Sequence, residues 1–187
     1  MKITTTPISG LLIIEPKVFK DDRGYFFEAY NEAKYFDAGL KAKFVQDNIS
    51  YSYKNSIRGL HYQLEPYAQG KLVEVLQGRV LDIAVDLREN SPTFGQYYSI
   101  ELSDANQLQF FVPKGFAHGF SVLSESAIFH YKCDNIYHQA SERGIKFDDS
   151  FLNIDWQVDL GKSLVSPKDK ILPSFKNAEK NFSFEDV

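Results

Sequence analysis

Short apolar runs separated by polar and turn residues recur along this chain, and they predict β-strands. Nine runs rich in Val, Ile, Phe and Tyr follow one another at intervals of roughly 10 to 15 residues. They cover residues 11–14, 25–30, 44–49, 71–77, 80–87, 96–102, 108–112, 118–123 and 127–132. Single Pro and Gly residues lie between them, which is typical of short strands joined by tight turns.

The run 80–87 shows the clearest alternation of apolar and polar residues. From Leu81 to Leu87 its odd-numbered residues are all Leu, Ile or Val, whereas its even-numbered residues include Asp82 and Asp86. This alternation predicts a half-buried antiparallel strand. The preceding Gln77-Gly78-Arg79 predicts a hairpin between this strand and the run before it.

One segment, which begins at Asn31 and ends at Gly39, has a helical pattern. Asn31 is a candidate N-cap, and Gly39 lies where a helix would end. Ala33, Phe36 and Leu40 follow at helical spacing, so they are predicted to form the apolar face.

Many short strands with almost no crossover helix favour an all-β fold, either a sandwich or a barrel. The alternation of residues does not choose between the two. No repeat, low-complexity tract or linker divides the chain, so one domain covering residues 1–187 is predicted. The tail from Ser163 onward is polar, and Pro167 and Pro173 are expected to interrupt any regular element there.

Composition and charge narrow the class of protein. Hydrophobic residues make up 43% of the 187, which excludes a disordered chain. The net charge of −4 argues against a general nucleic-acid binder, although a local basic pocket for one anionic metabolite stays open. Cys133 is the single cysteine and cannot form an internal disulfide. No run is long enough to span a membrane and no signal peptide is evident, so a cytoplasmic location is expected.

His61 is the first candidate for chemistry, within Arg58-Gly59-Leu60-His61-Tyr62-Gln63. An imidazole titrates near neutral pH and can act as a general base, but it can equally be a hydrogen-bonded core residue. Strand alternation places Arg58 on the face opposite His61. A bulge or a strand end would therefore be needed for both side chains to reach one pocket.

The segment Pro113-Lys114-Gly115-Phe116-Ala117-His118 resembles the second metal-binding signature of the cupin barrels. The first cupin signature needs a His-x-His pair and then a Glu, but Gln63 occupies the second His position, and Tyr67 and Ala68 occupy the expected Glu positions. The second His and the Glu of the usual four ligands are therefore missing. The sequence favours a cupin frame without a metal.

Several further residues are candidates for ligand binding. Arg23 and Arg58 each precede a glycine, where a guanidinium can hold a phosphate, although each can also be a solvated arginine in a turn. Tyr131 shares strand parity with Phe129, which predicts that it points into the barrel as a core residue or a catalytic phenol. The polar triplet 46–48 is a candidate ligand-facing rim or an ordinary strand end. Asp169 has no local distinction.

Taken together, these segments resemble the dTDP-4-dehydrorhamnose 3,5-epimerases. The resemblance covers about residues 8 to 172 and leaves 173–187 as an extension without a role. The matching segments are 11–16, 22–28, 44–48, 58–63, 69–73, 86–88, 91–95, 113–120, 131–132, 154–156 and 166–169. One departure is Ile136, which stands before Tyr137 where a pair of tyrosines often occurs.

The resemblance implies a double-stranded β-helix of the cupin type with a few short peripheral helices, working as a homodimer without metal or other cofactor. It implies that His61 is the general base, that Asp169 orients it, that Tyr131 is the acid on the opposite face of the sugar, and that Lys71 is the cation at the C4 carbonyl oxygen. The implied nucleotide-sugar contacts are Arg23, Glu28, Gln46, Asp47, Asn48, Arg58, His118, Glu142 and Lys168. Arg23 and Glu28 are implied to serve the site of the partner chain.

The implied activity is epimerisation at C3 and C5 of dTDP-4-dehydro-6-deoxy-D-glucose, which gives dTDP-4-dehydro-L-rhamnose. A C–H beside a ketone can lose its proton when the enolate oxygen is stabilised, and return of a proton to the other face inverts the carbon. Two alternatives stay open. One is an epimerase that acts at a single carbon of a related sugar, and the other is a non-catalytic cupin that binds a sugar nucleotide.

Overall fold

The computed structural model describes residues 1–184 of the chain. Fourteen strands and two short α-helices form in this part of the chain. The strands are β1 (Lys2–Thr5), β2 (Leu12–Glu15), β3 (Phe19–Asp21), β4 (Gly24–Phe26), β5 (Gln46–Tyr53), β6 (Ser56–Gln63), β7 (Lys71–Gln77), β8 (Arg79–Asp86), β9 (Tyr97–Ser103), β10 (Gln109–Val112), β11 (Phe116–Val122), β12 (Ser126–Cys133), β13 (Glu142–Gly144) and β14 (Leu164–Val165). The helices are α1 (Glu32–Asp37) and α2 (Pro167–Lys170), with 3₁₀ turns at Gln139–Ser141 and Leu160–Lys162.

Two large sheets carry the fold, and they confirm the all-β prediction. The first sheet has the order β1-β2-β10-β7-β12-β5, and the second has the order β13-β6-β11-β8-β9 with β14 beside β6. Neighbouring strands are antiparallel except for β14 and β6, which are parallel. Strands β3 and β4 form a separate hairpin. None of the helices in the described residues has the length and apolar character needed to cross a bilayer.

One apolar cluster occupies part of the space between the two sheets. It joins Val73, Phe110 and Phe129 of the first sheet to Ala84 and Phe120 of the second. Side chains from facing sheets interdigitate in this way in β-sandwiches and jelly rolls. The cluster fills only part of the space, and the remainder forms the cavity described below.

Two predictions about the segment around β8 are wrong. Its neighbours are β11 and β9, and it is antiparallel to both, but it is buried on both faces rather than half-buried. The apolar residues Leu81, Ile83 and Val85 pack under the C-terminal segment, whereas Asp82 shares the inward parity of Ala84. The predicted hairpin at Gly78 is also wrong, because β7 and β8 belong to different sheets and the turn carries the chain from one to the other.

The C-terminal tail forms part of the core, contrary to its polar composition. Phe175, Ala178 and Phe182 are buried against the outer face of the second sheet, together with Trp156. Pro167 begins the helix α2 instead of interrupting an element, since a proline fits the first helical position. Residues 185–187 of the predicted extension lie outside the described residues. The single domain of residues 1–187 stays a prediction.

The predicted helix is present, but its buried face differs. The Asn31 side chain caps α1 by accepting a hydrogen bond from the Lys34 backbone N–H. Tyr35 and Leu40 are buried against the first sheet, whereas Phe36 is 54% exposed. Most predicted strands form with shifted ends, but residues 27–30 are not in a strand.

Candidate active site

A cleft opens into the space between the two sheets. Its larger part has a volume of about 550 Å³ and its smaller part about 250 Å³. His61, Lys71 and Tyr131 line both parts, so the two parts meet at these three side chains. His61 comes from β6 of the second sheet, whereas Lys71 and Tyr131 come from β7 and β12 of the first. The proposed base and the proposed acid therefore stand on opposite walls.

A bulge in β6 brings Arg58 and His61 to the same cleft. His61 is paired with His118 and Arg58 with Phe120, so two residues of β6 lie opposite one residue of β11. The extra residue reverses the alternation, which confirms that a bulge places both side chains in one cavity. Gly59 is required at this point, because a Cβ there would lie 2.6 Å from the Cα of Gly119.

The imidazole of His61 is held by the carboxylate of Asp169. Its Nε2 lies 2.7 Å from Oδ1 of Asp169, whose side chain is 5% exposed, whereas that of His61 is 31% exposed. Burial raises the pKa of Asp169, but the hydrogen bond and charge of His61, with smaller effects from Gly59 and Ser166, outweigh it and lower the pKa. The carboxylate therefore stays charged and fixes a proton on Nε2, which leaves Nδ1 of the neutral ring to accept one.

The short helix α2 positions Asp169 at His61. Ser166 caps the helix by accepting a hydrogen bond from the Asp169 backbone N–H at 3.0 Å. The preceding strand β14 pairs with the start of β6, so the segment that carries Asp169 is fixed to the strand that carries His61. His61 and Asp169 are thus held together through backbone pairing as well as through their side chains.

Lys71 and Tyr131 lie at the wall opposite His61. Burial lowers the pKa of Lys71, and the nearby Cys133, Asp82 and Glu142 oppose this effect. Burial raises the pKa of Tyr131, so its phenol is neutral and can donate a proton. The prediction that Tyr131 points inward is confirmed, since it lines the cavity and packs against the cluster that contains Phe129.

His118 is paired with an aspartate that the sequence analysis did not select. Both carboxylate oxygens of Asp82 lie close to Nε2 of His118, at 2.9 and 3.0 Å, and Asp82 is fully buried. Burial raises the pKa of Asp82, whereas His118 and Lys71 act in the opposite direction. The signal was present, because an Asp inside a run of Val, Leu and Ile is a costly choice without a buried partner.

The polar triplet on β5 divides between two faces, as strand alternation requires. Gln46 and Asn48 line the smaller part of the cleft. Asp47 does not line either part in the described residues, and its carboxylate binds the ammonium of Lys132 at 2.8 Å. This chain therefore brings two of the three predicted contacts to its own cleft.

Glu142 and Lys168 are both at the cleft and form an ion pair at its rim. The Lys168 Nζ lies 2.6 Å from Oε2 of Glu142, which also accepts a hydrogen bond from the Tyr137 hydroxyl at 2.8 Å. Burial raises the pKa of Glu142, but the hydrogen bonds from Lys168 and Tyr137 outweigh burial and lower it. Tyr137 lies at the smaller part of the cleft.

Arg23 and Glu28 do not reach the cleft of their own chain. The Arg23 side chain lies on the β3–β4 hairpin, is 90% exposed and pairs with Asp21 at 2.6 Å. Glu28 follows the hairpin and pairs with Lys34 at 2.6 Å. Neither residue lines either part of the cleft in the part of the chain that the structure describes.

The remaining groups decide what the cleft can do. No cluster of three or more His, Cys, Asp or Glu side chains arranged for a metal occurs within residues 1–184, and a reaction without a cofactor stays a prediction. An imidazole and a neutral phenol on opposite walls, with a half-buried lysine on the wall of the phenol, suit proton transfer to both faces of a carbonyl compound. This cleft in a double-sheet jelly roll defines a cupin-type isomerase.

The comparisons with known proteins identify the family. A model of the dTDP-4-dehydrorhamnose 3,5-epimerase family matches residues 5–177. The enzyme of that name from Shigella flexneri is 52% identical over 170 residues, which cover 90% of this chain and 93% of the relative. The chain belongs to the dTDP-4-dehydrorhamnose 3,5-epimerase family. The resemblance seen in the sequence is thereby confirmed.

Solved structures confirm the cupin-type fold. The structure of dTDP-4-dehydrorhamnose 3,5-epimerase from Elizabethkingia anophelis has a TM-score of 0.90 and 56% identity, and covers 95% of this chain and 97% of its own. A second neighbour is dTDP-6-deoxy-D-glucose-3,5-epimerase from Legionella pneumophila in complex with dTDP-4-keto-L-rhamnose. It has a TM-score of 0.90 and 48% identity, and covers 94% of this chain and 93% of its own.

Proposed function

We propose that this chain epimerises C3 and C5 of dTDP-4-dehydro-6-deoxy-D-glucose to give dTDP-4-dehydro-L-rhamnose. The observation that carries the proposal is the placement of His61, with its partner Asp169, on the wall opposite Tyr131 and Lys71. Inversion of a carbon needs one group to remove a proton from one face and a second group to return a proton to the other. Two walls that carry a base and an acid meet that need.

In the proposed reaction Nδ1 of His61 removes the proton from the carbon next to the C4 ketone. The electrons of that C–H bond form the enolate, and the ammonium of Lys71 stabilises the negative charge on the C4 oxygen. The Tyr131 hydroxyl then gives its proton to the opposite face of the carbon. Asp169 stabilises the imidazolium while His61 holds the proton. His61 then gives its proton to solvent and the Tyr131 phenolate takes one up from solvent, so the same cycle at the second carbon can complete the double inversion.

The proposed contacts to the nucleotide part follow the charges at the cleft. Arg58 and Lys168 are cations at the larger part, where they can bind the diphosphate. Gln46, Asn48 and Glu142 supply hydrogen-bonding groups at the smaller part, and His118 lies at the larger. Asp47 has no assigned contact within one protomer.

A homodimer is part of the proposal. The edge strand β5 exposes Ile49, Tyr51 and Tyr53, which are 68%, 53% and 65% exposed, and an exposed apolar edge strand favours pairing with another chain. The β3–β4 hairpin likewise exposes Phe26 and Arg23. We propose that Arg23 and Glu28 of one protomer complete the cleft of its partner. The cytoplasmic location stays a prediction.

Proton exchange with solvent tests the activity. When the protein and dTDP-4-dehydro-6-deoxy-D-glucose are incubated in heavy water, we expect deuterium at both C3 and C5 of the product. Deuterium at one carbon alone would identify a mono-epimerase. Binding of the sugar nucleotide without any exchange would identify a non-catalytic cupin and would refute the proposed reaction.

A further inference from the structure

The hydroxyl of Ser50 is buried and has no hydrogen-bond partner within residues 1–184. No other buried side-chain oxygen or nitrogen in these residues lacks a partner. Buried polar groups in folded proteins are nearly always bonded, so an unpaired one needs an explanation. Ser50 lies on β5 and lines the larger part of the cleft. The unpaired hydroxyl therefore belongs to a wall of the binding site.

The inward face of β5 shows that Ser50 differs from its neighbours. That face carries four polar residues, Gln46, Asn48, Ser50 and Ser52. Ser52 accepts a hydrogen bond from Nε of Arg58 at 2.8 Å, and the Asn48 amide donates to Sγ of Cys133 at 3.7 Å. Each of these two side chains has a partner from the protein, whereas the hydroxyl between them has none.

The pairing of β5 with β12 fixes where along the ligand this hydroxyl lies. Asn48 is opposite Tyr131 and Ser50 is opposite Phe129, and Ser52, the next inward residue, holds Arg58. Ser50 thus lies between the proposed acid and the proposed phosphate-binding guanidinium. The part of a sugar nucleotide that lies between its reacting ring and its diphosphate is the glycosidic junction, with the sugar oxygens and phosphate oxygens around it.

An aromatic side chain is the cross-strand neighbour of Ser50, since Phe129 lies opposite it on β12. The rings of Phe120 and Phe129 are stacked at 4.2 Å and both line this part of the cleft. A hydrogen bond in such surroundings is stronger than in water, and an unpaired hydroxyl there is costly. The Ser50 oxygen is shielded, and rotation between staggered positions about the Cα–Cβ bond changes the direction in which it points.

We propose that Ser50 binds the ligand, its hydroxyl donating a hydrogen bond to an oxygen at the junction of the hexose and the phosphate. The inference rests on the proposed function for the class of ligand. A bound sugar nucleotide would supply the partner that the protein does not. A sugar oxygen and a phosphate oxygen can each accept this hydrogen bond. Two probe ligands distinguish them.

The test is calorimetric titration of the wild type and Ser50→Ala with dTDP-glucose and with dTDP. If the acceptor is a sugar oxygen, the variant should bind dTDP-glucose about threefold to tenfold more weakly and bind dTDP as the wild type does. If the acceptor is a phosphate oxygen, both ligands should bind about tenfold more weakly or worse. The melting temperature should stay the same or rise, since the variant loses only an unpaired polar group.

Ser121→Ala is the matched control. Ser121 is a fully buried serine on a strand, and its hydroxyl donates to the Trp156 carbonyl oxygen at 2.6 Å. This variant should melt at a lower temperature and bind dTDP-glucose normally. A Ser50→Ala protein whose affinity for dTDP-glucose stays within twofold of the wild type would overturn the inference, as would a wild type that does not bind dTDP-glucose.

The outcome for Ser50 can be separated from the outcome for the proposed reaction. Weaker binding by Ser50→Ala, combined with no deuterium exchange by the wild type, would support the ligand contact and refute the epimerase. Normal exchange by the wild type combined with unchanged binding by the variant would support the epimerase and refute the ligand contact.

Discussion

The side chains of His61 and Asp169 meet at 2.7 Å although 108 residues separate them in the chain. One belongs to a strand of the second sheet, and the other to a four-residue helix near the end of the chain. The pairing of β14 with β6 holds the two segments side by side. The orientation of the proposed base therefore depends on the docking of the C-terminal segment as well as on the barrel.

Asp169→Asn should lower the rate of deuterium exchange by about 10²-fold or more, since the amide cannot stabilise an imidazolium. The affinity for dTDP-glucose should change little. Exchange is measured by NMR in heavy water. Asp149→Asn is a matched control, because Asp149 is equally buried but binds backbone N–H groups of residues 151, 152 and 175. Equal loss of exchange in both variants would contradict a specific role of Asp169.

His61→Ala and Tyr131→Phe should separate the base from the acid. His61→Ala should abolish exchange at both carbons while ligand binding persists. Tyr131→Phe should still allow deprotonation, so deuterium should enter while net formation of the L-sugar falls steeply. The two readouts are deuterium content and product stereochemistry. If Tyr131→Phe stops exchange as completely as His61→Ala, the proposed division of roles is wrong.

Asp82→Asn should move the alkaline limb of the pH profile, where the rate of deuterium exchange falls as the pH rises, to lower pH. Burial lowers the pKa of Lys71, and the charge of Asp82 is one of the groups that raise it. Without that charge Lys71 loses its proton at a lower pH, so stabilisation of the enolate ends earlier as the pH rises. The measurement is exchange rate against pH. Asp86→Asn, a buried aspartate bound to Arg88, should affect stability but leave this limb in place.

Mixing two inactive variants should test whether Arg23 of one subunit completes the cleft of the other. An Arg23→Ala subunit keeps its own His61, and a His61→Ala subunit keeps its own Arg23. If Arg23 serves the partner, half of the sites in a mixed dimer are complete, and a mixture dissociated and reassembled at equal amounts should recover up to about a quarter of wild-type activity. No recovery, with mixed dimers shown by mass spectrometry, would place Arg23 outside the partner's cleft.

Phe175→Ala should destabilise the protein, although the sequence by itself assigns no role to the segment that contains Phe175. Phe175 is 6% exposed and its ring packs against Phe151 and Phe94. Loss of a buried phenylalanine costs about 3–5 kcal/mol, which denaturant unfolding can measure. Ile171→Ala, at a residue that is 85% exposed, should have a small effect. Equal stability of both variants would show that the tail does not contribute to the core.

The alternation of residues determined most strands and the all-β class, because period-two burial is a local property of the chain. It also placed Tyr131 inside, since Phe129 and Cys133 share its parity and are buried. The cupin frame and the family followed from motifs such as residues 58–63 and 113–118. These motifs identify residue types and intervals, which need no three-dimensional information.

Other features depend on contacts between segments far apart in the sequence, and only the tertiary structure decided them. Asp169 has no local signal, and it gained a partner because β14 pairs with β6. The tail looks polar, yet its few aromatic residues cover the outer face of the second sheet, and this is why the apolar face of β8 points away from the cleft. With that face covered, the opposite face was left to carry Asp82, buried against His118 at the proposed active site.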